Sequence, residues 1–227
     1  MIKKILTDIE GTISSISFVK EVLFPYARKE IGEYIQTHAN ALEVLQAVSE
    51  VVKICARKMT EQDVINTLVQ WIDEDKKTTP LKTLQGLVWE NGFKKGVFKA
   101  HIYPDALEKL QYWKSRGFLL YVYSSGSVFA QKLFFTYNEA GNILELFSGH
   151  FDTVTGGKKE AQSYKLISKN MECDASEILF LSDIIEELDA ANEAGMKTIL
   201  ISRDKKILHH DDHPVFSNFS SIDIDSH

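Results

Sequence analysis

The first stretch with chemical potential is the pentapeptide Asp8–Thr12, in which two acids, Asp8 and Glu10, are separated by one residue. It directly follows Ile2–Thr7, a short run that predicts a buried strand. Side chains at i and i+2 of an extended chain point to the same side, and like charges held close together repel. Mg²⁺ would remove this repulsion, since it prefers oxygen ligands and needs only one or two carboxylates. An ordinary strand end with solvated acids is the commoner explanation of such a pair, so the rest of the chain must decide.

Three further groups of polar residues come directly after apolar runs of strand length. They are Ser124–Ser127 after Phe118–Tyr123, Gly156–Lys159 after Phe151–Val154, and Ser182–Asp183 after Ile178–Leu181. Each has a structural alternative, because the serines and Asp183 could cap the next helix and Lys158 could lie in a solvated turn. Together they supply a carboxylate nucleophile, oxygen ligands for a metal, and a hydroxyl and an ammonium for a phosphoryl group. One phosphoryl-transfer site explains all these strand ends better than independent coincidence.

The elements that would position these residues predict an α/β fold. From Tyr103 onward, continuously apolar strands alternate with helices, which is typical of a Rossmann-like, doubly wound parallel sheet covered on both faces. In such sheets ligands bind beyond the carboxyl ends of the strands. Between the first strand and this region, apolar residues recur at helical spacing and Thr60–Asp63 predicts a capping box. We therefore expect an α/β core over residues 1–14 and 99–227, and a helical-bundle cap over residues 15–98.

The composition is that of a soluble globular protein. The chain has 227 residues, of which 44% are apolar and 26% charged, and its net charge of −6 argues against nucleic acid or an anionic membrane as partner. Its two cysteines include no C-x-x-C pair, which excludes a thiolate metal knuckle and fits a reducing compartment. No apolar run reaches the length of a membrane span, and the first strand leaves no room for a secretory signal. We expect a cytoplasmic monomer that acts on a small molecule.

The order of these motifs resembles that of the haloacid dehalogenase-like phosphohydrolases. Within that superfamily, Glu as the second acid of Asp8–Thr12 is similar to the enolase-phosphatases of methionine salvage, which are acireductone synthases. Several other stretches resemble the same subfamily, namely Phe18–Lys20 with Leu23–Tyr26, Lys77–Gly86, Tyr121–Val128 with Gln131–Leu133, and Gly149–Thr153. The resemblance extends from Lys4 to about Ile201, and the combination is far more specific than any one motif.

The resemblance implies roles for the acidic residues. Asp8 would attack phosphorus and carry an aspartyl-phosphate. Glu10 would act as general acid toward the leaving oxygen and then as general base toward the hydrolytic water; most of the superfamily has Asp at this position. The implied cofactor is Mg²⁺, held by Asp8, the backbone carbonyl of Glu10 and Asp183, with Glu187 one helical turn further on as a supporting acid.

The resemblance also implies how the substrate is bound. Ser124 and Ser125 would hold the phosphoryl oxygens together with Lys158, which matches the family's lysine better than Lys159 by its distance from Gly149–Thr153. The subfamily converts 2,3-diketo-5-methylthiopentyl-1-phosphate to an acireductone, by enolising the diketone and then hydrolysing the phosphate. Enolisation needs a base; Glu10 is a candidate that the sequence does not single out.

The inserted bundle would act as a lid that excludes water and contacts the methylthio end of the substrate. Its aromatic residues Phe18, Phe24 and Tyr26 either line the apolar pocket or, as is commoner, form the core of the bundle.

Three other functions compete with this interpretation. The nearest is another capped phosphatase of the same superfamily with a different small phosphate ester as substrate. A dehalogenase would need Asp8 but not the metal-binding acids, so Glu10 and Asp183 count against it. A phospho-acceptor module like a response-regulator receiver carries its phosphorylated Asp after a later strand, where this chain has Ser124.

Overall fold

The computed structural model describes residues 1–204 and 206–224, and the chain divides into two compact units. Unit 1 comprises Met1–Ile16 and the chain from Ala100 onward, and unit 2 comprises Ser17–Lys99. These divisions fall two residues and one residue beyond the expected boundaries at 14/15 and 98/99. Within the described part of the chain, no helix is both long enough and apolar enough to cross a membrane.

Unit 1 is built on a six-stranded sheet with the order β3-β2-β1-β4-β5-β6. All neighbouring strands are parallel, as the apolar strand runs predict. The strands are β1 (Lys4–Thr7), β2 (Leu119–Tyr123), β3 (Phe147–Phe151), β4 (Ile178–Ser182), β5 (Lys197–Ile201) and β6 (Val215–Phe216). The chain builds outward from β1 through β2 to β3 and then crosses to β4 on the other side of β1. This reversal makes the carboxyl ends of β1 and β4 the point where a ligand crevice forms.

The central strands are apolar because they are buried. Ile5 and Leu6 of β1 are inaccessible, and all five residues of β4 are buried. The helices of unit 1 are α5 (Pro104–Ser115), α6 (Val128–Thr136), α7 (Ala161–Asn170) and α8 (Ile185–Glu193). One core cluster joins residues of β1, β2, β4 and β5 to residues of α7 and α8. The α/β fold class predicted from the sequence is confirmed.

The position of β3 differs from the sequence prediction. A strand over Phe151–Val154 is wrong, because the strand is Phe147–Phe151 and the residues after it form a turn. The strand pairs with β2 in a register that sets Gly149 opposite Tyr121. A Cβ at Gly149 would lie 2.9 Å from the Tyr121 ring, so this position requires glycine although glycine weakens the strand pattern. Consequently Lys158 lies within the loop between β3 and α7 and not directly after a strand.

Unit 2 consists of helices. A π-helical turn (Phe18–Leu23) leads into α1 (Phe24–Thr37), which is followed by α2 (Leu42–Cys55), α3 (Glu61–Asp73) and α4 (Thr79–Lys94). The capping box predicted before α3 is confirmed: the Thr60 hydroxyl accepts from the Asp63 N–H at 3.2 Å, and the Asp63 carboxylate accepts from the Thr60 N–H at 2.9 Å.

The aromatic residues of the first part of unit 2 pack within that unit. Phe18 and Tyr26 meet Phe98 edge to face, and Phe24 stacks on Trp89. Their packing agrees with the bundle-core alternative.

Candidate active site

Asp8 lies at the switch point of the sheet, which is the crevice at the carboxyl ends of β1 and β4 where the strand order reverses. It follows β1 directly, and its N–H donates to the carbonyl oxygen of Leu181 on β4 at 2.9 Å. The residue is only 3% exposed. The main chain on both sides of the crevice therefore fixes the position of this carboxylate.

Gly11 allows the chain to turn away from Asp8 while Asp183 approaches from the end of β4. Its φ of +80° is unfavourable for a residue with a side chain. A Cβ at Gly11 would also lie 2.1 Å from Asp183 Oδ2. The hydroxyl of Thr12 lies 3.4 Å from Asp183 Oδ1. Glycine is thus required twice over, by the backbone conformation and by the close approach of an acid.

The cationic group of the site is Lys158. Its Nζ lies 2.5 Å from Asp8 Oδ1 and 2.7 Å from Glu187 Oε2, and the residue is 8% exposed. The hydroxyl of Ser182 also donates to Glu187 Oε2, at 2.9 Å. Burial by itself would lower the pKa of Lys158, but the charges and hydrogen bonds of Asp8 and Glu187 outweigh it and raise that pKa. The lysine is therefore a fixed positive charge between two acids.

The remaining negative charge is only partly compensated. Burial, followed by the charge of Asp8, raises the pKa of Asp183 to about 7 and that of Glu187 to about 6. The same two causes raise the pKa of Glu10. Carboxyl groups with raised pKa values in a crevice are typical of functional sites, and a bound cation would lower these values again.

The donors present fit Mg²⁺. Asp8 and Asp183 contribute carboxylate oxygens at neighbouring strand ends, and the absence of a Cβ at Gly11 lets the Asp183 carboxylate approach the loop that follows Asp8. Among the residues that the structure describes, no three His, Cys, Asp or Glu side chains form a ready-made metal cage. Mg²⁺ does not require one, because it usually binds through one or two carboxylates and keeps several waters.

The serines after β2 have different environments. Ser124 is fully buried; its hydroxyl donates to Glu10 Oε2 at 3.1 Å and accepts from the N–H of Gly126 at 3.1 Å. Ser125 is exposed. Ser127 is the residue that caps α6, through a hydrogen bond of 3.2 Å from a main-chain N–H in the first turn. The capping alternative therefore applies to Ser127, whereas Ser124 faces the acids.

One supporting residue had no predicted role. The buried Gln131 donates from Nε2 to the carbonyl oxygens of Gly126 at 2.9 Å and Phe151 at 2.8 Å, so it ties the Ser124–Ser127 loop to the end of β3. Besides the resemblance of Gln131–Leu133 to the subfamily, the sequence signal is a polar residue in the otherwise largely apolar stretch of α6.

The structure thus places Asp8, Glu10, Ser124, Lys158 and Asp183 close together, with Glu187 as a direct partner of the lysine, whereas Ser125 is exposed. This arrangement offers a buried carboxylate, acids able to carry a proton near neutral pH, and an ammonium group. Such a set can perform phosphoryl transfer through a carboxylate nucleophile.

Known proteins resemble this chain over nearly its whole length. The family described as haloacid dehalogenase-like hydrolase matches residues 2–195. The enolase-phosphatase E1 of Pseudomonas syringae pv. syringae is 50% identical over 223 residues, covering 98% of this chain and 97% of the relative. That of Persephonella marina is 49% identical over 226 residues, covering 100% and 97%.

A solved structure also resembles this chain over nearly its whole length. The crystal structure of the UTR4 protein from Saccharomyces cerevisiae matches with a TM-score of 0.82 and 35% identity, covering 98% of this chain and all of that one. The matched part of this chain includes residues of both units. From the family match and the near-half identity to full-length relatives, the chain belongs to the haloacid dehalogenase-like hydrolases and, within them, to the enolase-phosphatases.

Proposed function

We propose that this enzyme converts 2,3-diketo-5-methylthiopentyl-1-phosphate to 1,2-dihydroxy-3-keto-5-methylthiopentene, an acireductone, and phosphate in methionine salvage. The observation that carries the proposal is the buried contact of 2.5 Å between Lys158 Nζ and Asp8 Oδ1 at the switch point, with Ser124 and Asp183 on the adjoining strand ends. The names of the relatives, enolase-phosphatase, support the choice of reaction.

In the phosphoryl-transfer step, a carboxylate oxygen of Asp8 attacks phosphorus. The Asp8 O–P bond forms while the bond from phosphorus to the substrate oxygen breaks, and Glu10 gives its proton to that leaving oxygen. The raised pKa of Glu10 supports this role, because the group must carry a proton near neutral pH. Ser124, Ser125 and Lys158 bind the phosphoryl oxygens and hold phosphorus in line with Asp8.

In the second step the aspartyl-phosphate is hydrolysed. Glu10, now ionised, takes a proton from water, whose oxygen attacks phosphorus. The Asp8 O–P bond breaks, so that Asp8 is regenerated and phosphate leaves. The same carboxyl group thus serves as acid and then as base, which requires a pKa near the working pH.

Asp8, the backbone carbonyl of Glu10 and Asp183 are the residues we propose to hold Mg²⁺. When bound, the ion supplies positive charge that stabilises the negative charge of the transferring phosphoryl group. The enolisation that comes first removes a proton alpha to a carbonyl, and Glu10 is our candidate for the base. We also propose that unit 2 serves as the cap of the enzyme.

The test is turnover of the diketone phosphate by the purified protein beside a panel of common phosphate esters. We expect acireductone, followed by its absorbance, and phosphate to form in equal amounts. The kcat/KM for the diketone phosphate should exceed that for each ester of the panel by about 100-fold or more. Hydrolysis of panel esters without acireductone formation would identify a different capped phosphatase, which is the alternative. Metal-independent release of halide from a haloacid would point instead to a dehalogenase.

A further inference from the structure

Lys158 is carried by a loop, and its main chain has no regular secondary structure to hold it. The loop connects β3 to α7 and contains Gly156 and Gly157 directly before the lysine. The φ of Gly156 is +149°, and a Cβ there would lie 2.2 Å from Ser163 Oγ. Nevertheless the ammonium is held within hydrogen-bond distance of two carboxylates. Contacts with residues outside the loop must therefore fix its main chain.

Two tyrosine hydroxyls hold the loop at both ends of the Gly156–Lys158 segment. Tyr123 Oη donates to the carbonyl oxygen of Gly156 at 2.8 Å, and Tyr164 Oη donates to the carbonyl oxygen of Lys158 at 2.6 Å. Tyr123 is the last residue of β2, and Tyr164 lies in α7. The main chain on each side of the lysine is thus tied to a different element of the core.

The two rings belong to the core itself. Both residues are fully buried, and the rings meet edge to face with centroids 5.5 Å apart. The Tyr123 ring also lies 5.7 Å from Lys158 Nζ, within reach of a cation–π contact. Phenylalanine would fill the same space without a polar group to satisfy. The hydroxyls are therefore the part of these side chains that packing alone does not explain.

We propose that Tyr123 and Tyr164 are positioning residues, whose hydroxyls fix the loop so that the Lys158 ammonium stays on Asp8. The proposal rests on the proposed function, in which Asp8 attacks phosphorus and Lys158 binds a phosphoryl oxygen. Without the two hydrogen bonds the main chain around Lys158 would be free to move, and the position of the ammonium relative to Asp8 would vary.

The first test is kinetic and uses the variants Tyr123→Phe and Tyr164→Phe. We expect kcat/KM for the diketone phosphate to fall by about 10- to 100-fold in each, because small displacements of a catalytic group have effects of this size. The matched control is Tyr121→Phe, two residues earlier on the same strand, whose ring packs against Phe151. The control should keep the activity of the unchanged enzyme. Equal losses in all three variants would mean a general packing effect and would overturn the proposal.

A double-mutant cycle asks whether the tyrosines act through the lysine. In the Lys158→Gln background, Tyr164→Phe should cause little additional loss, because the group that it positions is already absent. If Tyr164→Phe lowers kcat/KM by the same factor in the Lys158→Gln background as in the unchanged enzyme, the proposal is contradicted.

A second readout does not depend on turnover. The ¹⁵N NMR signal of the Lys158 ammonium, assigned by its disappearance in Lys158→Gln, should shift or broaden in Tyr164→Phe and stay unchanged in Tyr121→Phe. An unchanged signal in Tyr164→Phe would overturn the positioning role even if the enzyme is active. A changed signal without any turnover of the diketone phosphate would instead contradict the proposed substrate while leaving the positioning role in place.

Discussion

At the scale of single residues, the site is governed by buried negative charge. Asp8, Glu10, Asp183 and Glu187 lie around Lys158, and the pKa values of the last three acids are raised by burial and by the charge of Asp8. An uncompensated buried carboxylate is costly, so this arrangement favours a bound cation. The same crowding explains why residue 11 is a glycine, because Asp183 occupies the volume where a side chain at Gly11 would lie.

Replacement of Gly11 by alanine tests this crowding. The positive φ costs about 1–2 kcal/mol for any residue with a Cβ, and at Gly11 the new methyl group must also displace Asp183. We expect Gly11→Ala to lose phosphatase activity by about 100-fold or more and to unfold at a lower temperature. Phosphate release measures the activity, and a thermal unfolding curve measures the unfolding temperature.

The control for this variant is Gly141→Ala, which has a φ of +91° and open space around the position of its Cβ. It should show the conformational cost alone, with full activity. Equal activity in the two alanine variants would contradict the view that Asp183 must lie against Gly11.

At the scale of elements, the strands differ in how well the sequence predicts them. β1 and β4 are buried, so their apolar runs locate them and hence Asp8 and Asp183. β3 lies at an edge of the sheet and contains Ser148, Gly149 and His150, so hydrophobicity does not mark it. The strand-end pattern predicts the loop that carries Lys158, and the resemblance to the family distinguishes this lysine from Lys159. The two tyrosines that hold this loop could not be recognised, because a buried tyrosine in a strand or helix looks like core until its hydroxyl's partner is known.

The β3 strand also carries a group whose titration affects stability. Burial, with a smaller contribution from Lys132, lowers the pKa of His150 from 6.5 to about 4. Between these pH values the unfolded chain binds a proton that the folded protein does not, so the free energy of unfolding falls as the pH falls through this window. The raised pKa of Asp183 acts in the opposite sense, since the folded state then binds the additional proton. The contribution of His150 must therefore be isolated by comparing variants.

Urea unfolding across this pH window should show a smaller loss of stability on acidification for His150→Asn than for the unchanged protein. The exposed His209 provides the control, and His209→Asn should follow the unchanged protein. Identical pH dependence in all three proteins would mean that His150 binds a proton as readily in the folded protein as in the unfolded chain, which contradicts a lowered pKa.

At the scale of the whole molecule, the order of the sheet places the acids that we propose as metal ligands directly after two neighbouring strands, β1 and β4. They come from distant parts of the sequence, so a bound ion would link segments that separate on unfolding. The sequence also predicted that the helices of unit 2 form a separate insert; its role as a lid remains a prediction.

Removal and return of the metal test this link. Activity should vanish with EDTA and return with Mg²⁺. Mg²⁺ at 100 times its Kd should stabilise the folded protein by about 2.7 kcal/mol, which raises the unfolding temperature by about 5–10 °C for a domain of 150–250 residues. Asp183→Asn should lose most of this shift. Full activity in EDTA, or an equal shift in the variant, would contradict the assignment of the metal site.

Phosphate release from the diketone phosphate by Asp8→Asn tests the proposal that Asp8 is the nucleophile of a phosphatase. We expect no measurable release while circular dichroism shows a folded protein. Asp211→Asn, with a side chain 93% exposed, should remain fully active. Turnover by folded Asp8→Asn at the rate of the unchanged enzyme would contradict the role of Asp8 as nucleophile.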